Sequence, residues 1–253
     1  MPELKALIFD VDGTLADTER DGHRVAFNLA FADAGLNWDW TVDIYEDVLE
    51  VTGGKERIKH FLQKYKPEFT EPDNLDEYVA NLHKAKTAHY TALLAKGEIP
   101  LRPGVERLLN EAREKGLRLA IATTTTPENV SALLEHTLGK ESMDWFEVIA
   151  AGDIVPAKKP APDIYDYAME KMNLKAEDCI AFEDSRNGIL SSLGANLKTI
   201  ITINGYTKDH DFSGAAIVLD QYGEPGSPFK VIEGDANGFE YLNLEMVEAL
   251  HAA

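Results

Sequence analysis

Three acids stand close together near the start of the chain, in the stretch FDVDGTLADT at residues 9–18. Asp10 and Asp12 directly follow an apolar run at residues 6–9, and Gly13 then permits a tight turn. On an extended backbone, side chains two positions apart point the same way, so both carboxylates reach one site. Such closely spaced like charges are tolerated when a divalent cation binds or one acid keeps its proton.

Three later apolar segments also end in groups that bind ions. They are followed by the threonines at 123–126, by Lys158 and Lys159 before a proline, and by the acid pair Glu183 and Asp184. Hydroxyls, a lysine and acids suit a hard cation with an anion beside it, and oxygen ligands favour Mg²⁺ over zinc. These are the groups that phosphoryl transfer requires.

The elements that must position these groups alternate along the chain. Continuous apolar runs predict strands buried on both faces, at residues 4–9, 117–122, 146–150, 179–182, 198–203 and 217–219. Helical periodicity lies between them, at residues 105–115, 128–136, 162–172 and 185–193. This order predicts an α/β fold with a doubly wound, Rossmann-like parallel sheet. Ligands of such sheets bind beyond the carboxyl ends of the strands, where the ion-binding groups stand.

One long segment interrupts the alternation. Between residues 18 and 97 the sequence shows helical periodicity and no strand, with a long helix at about 75–96. We therefore predict an inserted helical cap at 18–97 and a core made of residues 1–17 and 98–253. The tail after residue 221 has a loop-like composition, with a terminal helix at 239–251.

Composition restricts the partners and the compartment. The net charge of −19 disfavours nucleic acid and anionic membranes, and a phosphorylated substrate would need local positive charge in its cleft. The single cysteine, Cys179, excludes an internal disulfide and suits a reducing cytoplasm. The sequence shows neither a signal peptide nor an apolar stretch of membrane-spanning length. We expect a cytoplasmic monomer that acts on a small molecule.

Four motifs in sequence order carry a family resemblance. D-x-D-G-T at 10–14, Thr123, K-P at 159–160 and E-D-S at 183–185 resemble the haloacid dehalogenase superfamily of phosphatases. The helical block resembles the cap that this superfamily shows in β-phosphoglucomutase and phosphoglycolate phosphatase. Further stretches resemble the CbbY type, sugar-bisphosphate phosphatases found with Calvin-cycle genes; they are residues 51–58, 83–87, 122–125, 150–165 and 182–189.

The resemblance implies roles for the core residues. Asp10 would attack phosphorus and form an aspartyl-phosphate, and Asp12 would serve as general acid and base. Thr123 and the N–H of Thr124 would bind the phosphoryl group, and Lys159 would offset its charge. Lys158 is an alternative to Lys159, although the lysine of the family directly precedes the proline.

The resemblance also implies a magnesium site. Mg²⁺ would be held by the Asp10 carboxylate, the Asp12 backbone carbonyl and the Asp184 carboxylate, and Glu183 would act through water. A helix N-cap or Asx turn is the structural alternative for Asp10 and Asp12, but it leaves the other strand ends unexplained.

Substrate selection is assigned to the cap. Thr52, Gly53, Gly54, Lys55 and Arg57 are predicted to contact a distal phosphate; the alternative is a helix start with solvated cations. Asp17, where CbbY proteins often have Glu, is predicted to bond sugar hydroxyls. Three further polar residues are not predicted to belong to the site, since helices commonly place such side chains in water: His23, His83 and Lys86. The aromatic residues Trp38, Trp40 and Tyr45 are expected to pack inside the cap rather than to form a stacking platform for a ligand.

These inferences predict a Mg²⁺-dependent phosphatase of small sugar phosphates, with xylulose-1,5-bisphosphate as the preferred substrate. A β-phosphoglucomutase-type phosphomutase and a phosphoglycolate phosphatase are the alternatives. A dehalogenase is disfavoured by Asp12, Asp184 and the Lys-Pro pair. A non-catalytic binding module is disfavoured because every motif acid is present.

Overall fold

The structure, a computed structural model, describes residues 3–97 and 99–253. Its strands are β1 Ala6–Phe9, β2 Arg118–Ala122, β3 Phe146–Ala150, β4 Cys179–Glu183, β5 Lys198–Thr202, β6 Ile217–Leu219 and β7 Val231–Glu233. They form one sheet in the order β3-β2-β1-β4-β5-β6-β7, and all pairs are parallel except β6 with β7. The predicted doubly wound parallel sheet is confirmed.

The helices follow the predicted alternation, with ends that differ by a few residues. They are α1 Arg24–Asp33, α2 Val42–Val48, α3 Gly54–Tyr65, α4 Leu75–Ala95, α5 Val105–Glu114, α6 Pro127–Leu138, α7 Asp163–Met172, α8 Arg186–Gly194 and α9 Leu244–Ala252. Side chains fix several starts, because a capping oxygen accepts an otherwise unpaired helical N–H. Thr126 accepts from the N–H of Asn129, and Ser185 accepts from the N–H of Gly188.

The tail after residue 221 differs from its prediction. It contributes β7, which pairs with β6 so that Leu219 stands opposite Val231. Unlike β6, β7 has the sequence Val-Ile-Glu and is largely exposed, so no continuous apolar run marks it. The terminal helix begins later than predicted, because Asn243 caps it by accepting from the N–H of Met246 at 2.9 Å.

Two apolar clusters cover the two faces of the sheet. Leu7 and Phe9 of β1 belong to one cluster, and Ala6 and Ile8 belong to the other. This division follows from the strand geometry, in which successive side chains point to opposite faces. Both faces are therefore dry, as parallel sheets require.

The helical block between β1 and α5 has an apolar cluster of its own. Trp38, Trp40 and Tyr45 are buried there, as expected of packing residues. The block is not independent of the sheet domain, however, since Tyr90 and Leu94 of α4 belong to the larger cluster on the sheet.

The two segments that connect the helical block to the sheet domain are paired with each other. Ala16 bridges to Leu101, and the N–H of Arg102 donates to the carbonyl of Leu15 at 2.8 Å. The division into a core and a cap at 17/18 and 97/98 stays a prediction, and Glu98 lies outside the described residues. Within the described part of the chain, no helix combines the length and the apolar character needed to cross a bilayer.

Candidate active site

A cavity of about 750 Å³ lies between the strand ends and the helical block. It is reached at the carboxyl ends of β1, β2 and β4, where the strand order reverses beside β1 and a crevice opens. The predicted residues that line it are Asp10, Asp12, Thr123, Thr124, Lys159 and Asp184 from the sheet side, and Thr52, Gly53, Gly54 and Arg57 from the helical block.

Strand register brings the two acid pairs together. Phe9 of β1 stands beside Phe182 of β4, so the residues that follow them are also neighbours. The N–H of Asp10 donates to the carbonyl of Phe182 at 3.0 Å, which continues the parallel ladder to the site. Asp10 and Glu183 therefore meet because their strands pair, not because they are close in sequence.

Lys159 joins these two acids. Its Nζ lies 2.7 Å from Oδ1 of Asp10 and 2.5 Å from Oε1 of Glu183, and Tyr165 also donates to that Glu183 oxygen at 2.6 Å. Burial disfavours the charge of Lys159, but the two carboxylates outweigh burial and raise its pKa. Lys158, by contrast, points to Glu56 at 3.1 Å, so the structure brings only Lys159 of the pair to Asp10.

Three buried carboxylates form a group that suits a cation. Asp10, Glu183 and Asp184 each offer an oxygen within 4.8 Å of the others. Burial, followed by the charge of Glu183, raises the pKa of Asp10 to about 7 against the opposing effect of Lys159. Burial and the charges of Asp10 and Glu183 raise the pKa of Asp184 as well. An all-oxygen donor set with this excess of negative charge fits Mg²⁺.

Asp12 has the opposite electrostatic environment. Its Oδ1 accepts from the hydroxyl of Thr18 at 2.5 Å and lies 2.8 Å from Nε2 of His23. Burial favours protonation, but His23 and Thr18 outweigh burial and hold the pKa of Asp12 below its ordinary value. Two acids one residue apart thus have pKa values shifted in opposite directions, a pattern typical of acid–base pairs with different roles.

A buried lysine of the helical block stands behind His23. Nζ of Lys86 lies 2.8 Å from Nδ1 of His23, and the rings of Phe27 and Tyr90 lie 5.2 and 5.1 Å away. An ammonium group can only donate, so Nδ1 accepts and Nε2 carries the proton that His23 donates to Asp12. Burial lowers the pKa of Lys86 to about 8, although Asp12 raises it.

The prediction that His23, His83 and Lys86 stand outside the site is wrong, since all three line the cavity. A signal was present in the sequence. His23 precedes the buried Phe27 by four residues, and Lys86 follows the buried Leu82 by four. A polar residue on the apolar stripe of a helix is buried with it.

Glu19 was also missed, and it constrains Arg57. Arg57 donates to Oε1 of Glu19 at 3.3 Å and to the carbonyl of Val51 at 3.0 Å, and Tyr45 donates to Glu19. Burial opposes the charge of Arg57, but Glu19 outweighs burial and raises its pKa. Arg57 reaches the cavity with its charge already paired.

Two predicted substrate contacts do not line the cavity. Nζ of Lys55 is bound at 2.5 Å by Oδ2 of Asp153. The Asp17 side chain is 66% exposed and lies 3.6 Å from Nε of the buried Arg102. In each case a charge of opposite sign on another element holds the side chain away from the site.

A parallel sheet with these acids, threonines and a lysine beyond its strand ends is the arrangement of a known class of hydrolases. The family model described as haloacid dehalogenase-like hydrolase matches residues 4–196, and the chain belongs to that family. The predicted enzyme class, a phosphatase of the haloacid dehalogenase type, is confirmed by this match and by the relatives that follow.

Within the family, the chain is similar to CbbY proteins over most of its length. CbbY of Rhodobacter capsulatus is 50% identical over 213 residues, covering 84% of this chain and 91% of that protein. The plasmid CbbY of Cupriavidus necator is 45% identical over 225 residues, covering 89% and 88% respectively. A solved structure of a Rhodobacter sphaeroides CbbY mutant in complex with xylulose-1,5-bisphosphate has a TM-score of 0.81 and 44% identity, covering 86% of this chain and 94% of that chain. The predicted CbbY resemblance is confirmed.

Proposed function

We propose that the chain is a Mg²⁺-dependent phosphatase that hydrolyses a small sugar bisphosphate, with xylulose-1,5-bisphosphate as its preferred substrate. One observation carries the proposal: buried Lys159 bridges Asp10 and Glu183, within a group of three carboxylates that suits a cation. The bisphosphate bound by the Rhodobacter sphaeroides CbbY mutant supports the choice of substrate.

Asp10 is the proposed nucleophile. Its carboxylate forms a bond to phosphorus while the bond from phosphorus to the sugar oxygen breaks, and water later cleaves the aspartyl-phosphate. Lys159 and the residues at the end of β2 stabilise the negative charge of the phosphoryl group, through the ammonium, the Thr123 hydroxyl and the Thr124 N–H. Thr14 donates to Oδ2 of Asp10 at 3.3 Å and helps to orient it.

Asp12 is the proposed general acid and base. In the free enzyme, Thr18 and His23 keep it ionised, which is the state needed to accept a proton from the attacking water. A bound phosphate adds negative charge nearby, which raises the pKa of Asp12 and lets it carry a proton to the departing sugar oxygen.

Mg²⁺ would be held by the carboxylates of Asp10 and Asp184 and the backbone carbonyl of Asp12, with Glu183 acting through water. When bound, it supplies positive charge that neutralises the carboxylates and the phosphoryl oxygens. The residues themselves orient the nucleophile, and Asp10 and Asp184 are both buried.

The helical block, proposed as a cap over residues 18–97, binds the rest of the substrate. Lys86 is the proposed partner of the distal phosphate, together with Thr52, Gly53 and Gly54 at the start of α3. Among the described residues, no carboxylate lies within ion-pair distance of Lys86, so its charge is available to an anion. Lys55 and Asp17 are left out of this assignment because they do not line the cavity. A cytoplasmic monomer remains the expectation from the sequence.

Phosphate release from a substrate panel tests the proposal. The panel is xylulose-1,5-bisphosphate, ribulose-1,5-bisphosphate, xylulose-5-phosphate, β-glucose-1-phosphate and phosphoglycolate, each with Mg²⁺ and with EDTA. We expect the highest kcat/KM for xylulose-1,5-bisphosphate, and a loss of at least about 1000-fold in EDTA and in Asp10→Asn.

Each alternative gives a different result in the same panel. Isomerised glucose phosphate without free phosphate would indicate a phosphomutase, and a preference for phosphoglycolate would replace the proposed substrate. Full activity of folded Asp10→Asn would contradict the assignment of the nucleophile. Circular dichroism shows whether that variant is folded.

A further inference from the structure

A polar side chain outside the four motifs holds one acid of the proposed metal site. Nδ2 of Asn204, in the loop that follows β5, donates to Oδ2 of Asp184 at 2.6 Å. The opposite end of the same amide, Oδ1, accepts from the N–H of Tyr206 at 2.9 Å. Because both ends of the amide are bonded, its orientation is fixed, with the donor toward Asp184.

The loop that carries Asn204 is itself braced. The N–H of Asn204 donates to the hydroxyl of Thr207 at 3.0 Å, and the N–H of Thr207 donates to the carbonyl of Asn204 at 3.2 Å. One residue earlier, Arg102 donates to the carbonyl of Ile203 at 2.6 Å. Asn204 therefore reaches Asp184 from a rigid turn.

The D-x-D-G-T loop packs against this hydrogen bond. Gly13 has φ +87°, and a Cβ added there would lie 2.6 Å from Nδ2 of Asn204 and would also clash with Oδ2 of Asp184. The loop that carries Asp10 can approach the pair this closely only because residue 13 has no side chain. Two loops thus meet at the bond between Asp184 and Asn204.

We propose that Asn204 is a positioning residue of the metal site, and this inference rests on the proposed function. By holding one oxygen of Asp184, it fixes the rotation of the carboxylate before a cation arrives. Without it, Asp184 would have to be ordered at the moment of binding, against repulsion from Asp10 and Glu183. Hydrogen-bond partners of metal ligands contribute about 10–100-fold to metal affinity or activity.

Direct Mn²⁺ binding is the test, measured from the signal of free Mn²⁺ by electron paramagnetic resonance. We expect Asn204→Ala to raise the Kd for Mn²⁺ about 10-fold and the Mg²⁺ concentration for half-maximal activity by the same factor. The rate at saturating Mg²⁺ should stay within about threefold of wild type, since Asn204 acts only through Asp184.

Two controls separate this role from a general disturbance. Tyr206→Ala keeps the backbone N–H that bonds Asn204, and Asn110→Ala removes a half-buried asparagine that accepts a hydrogen bond from Arg113. Both should leave Mn²⁺ affinity within about twofold of wild type. Unchanged Mn²⁺ affinity in folded Asn204→Ala, with binding intact in wild type, would overturn this inference alone. A wild type that binds no Mn²⁺ would overturn the proposed metal site as well.

Discussion

The two walls of the cavity each bury a lysine, and the two lysines differ in what surrounds them. Lys159, on the sheet side, is 5% exposed and contacts two carboxylates. Lys86, on the helical side, is 3% exposed and contacts an imidazole and lies over two aromatic rings. The pKa of Lys159 is raised, whereas that of Lys86 is lowered to about 8.

The difference indicates two uses of the same side chain. On the sheet side, the lysine compensates the acids, so its charge is part of what keeps that wall folded. On the helical side, the charge is maintained against desolvation, and an anion entering the cavity would supply the missing partner. We infer that stability and binding are separated between the two walls.

Of the substitutions that test this comparison, Lys159→Met should have the largest effect on both stability and activity. It leaves Asp10 and Glu183 buried without their cation, which should lower the free energy of unfolding at pH 7 by about 3–5 kcal/mol. Phosphate release should fall at least about 1000-fold, because Asp10, the proposed nucleophile, loses its orientation and its charge partner. Urea unfolding and a phosphate assay measure the two effects.

Lys158→Met is the matched control for that variant. Its ammonium bonds Glu56 and Asp153 near the surface, so we expect a change of less than about 1 kcal/mol in stability. If Lys158→Met loses more activity than Lys159→Met, the assignment of the site lysine is wrong.

Lys86→Met should separate binding from stability. We expect kcat/KM for the bisphosphate to fall about 100-fold, while the free energy of unfolding at pH 7 rises by about 1–2 kcal/mol. The rise follows from the pKa of about 8 in the folded protein against the ordinary 10.5. The charged lysine destabilises the fold fully below pH 8, and this penalty disappears as the pH rises toward 10.5.

The same group gives a pH dependence that can be checked. In wild type, kcat/KM should decline above about pH 8, as Lys86 loses the proton that attracts the anion. Lys86→Met should lack this decline, and its stability advantage should shrink from pH 7 to pH 10. A decline that persists in the variant would assign the titration to another group.

Asp153→Asn tests exposed ion pairs that involve neither of the two buried lysines, and its effect on stability should be the smallest. Lys55 and Lys158 both bond Asp153, and their hydrogen bonds lower its pKa to about 2. Since the Asp153 side chain is 60% exposed, the loss should be below about 1 kcal/mol and should vanish at high ionic strength. Thermal unfolding at low and high salt measures it; an effect independent of salt would contradict an exposed ion pair.

The same division explains what the sequence could predict. Asp10, Thr123, Lys159 and Asp184 follow strands, and the carboxyl ends of parallel strands meet at one edge whatever the details of packing. Whether a residue of the helical block reaches the cavity depends on how its helix is rotated about its own axis. Lys86 was assigned to solvent although it lies on the buried stripe of α4, and Lys55 was assigned to the substrate although it lies beside Asp153.

Asn204 shows a different limit. It directly follows the predicted strand at 198–203, which places it at the same edge of the sheet, but it belongs to none of the recognised motifs, so the sequence does not indicate a bond to Asp184. Only the order of β4 beside β5 brings the two loops together. A contact that depends on which strands are neighbours in the sheet can be identified only from the tertiary structure.

The pairing of Ala16 with Leu101 affects how the helical block can move. Two connecting segments that are bonded to each other act as a single hinge axis. Rotation of the helical block about this axis is therefore easier than twisting or sliding of the block. Any swing would also withdraw Tyr90 and Leu94 from the apolar cluster on the sheet and expose them to water. The observed arrangement of the helical block on the sheet should therefore be favoured over a swung one.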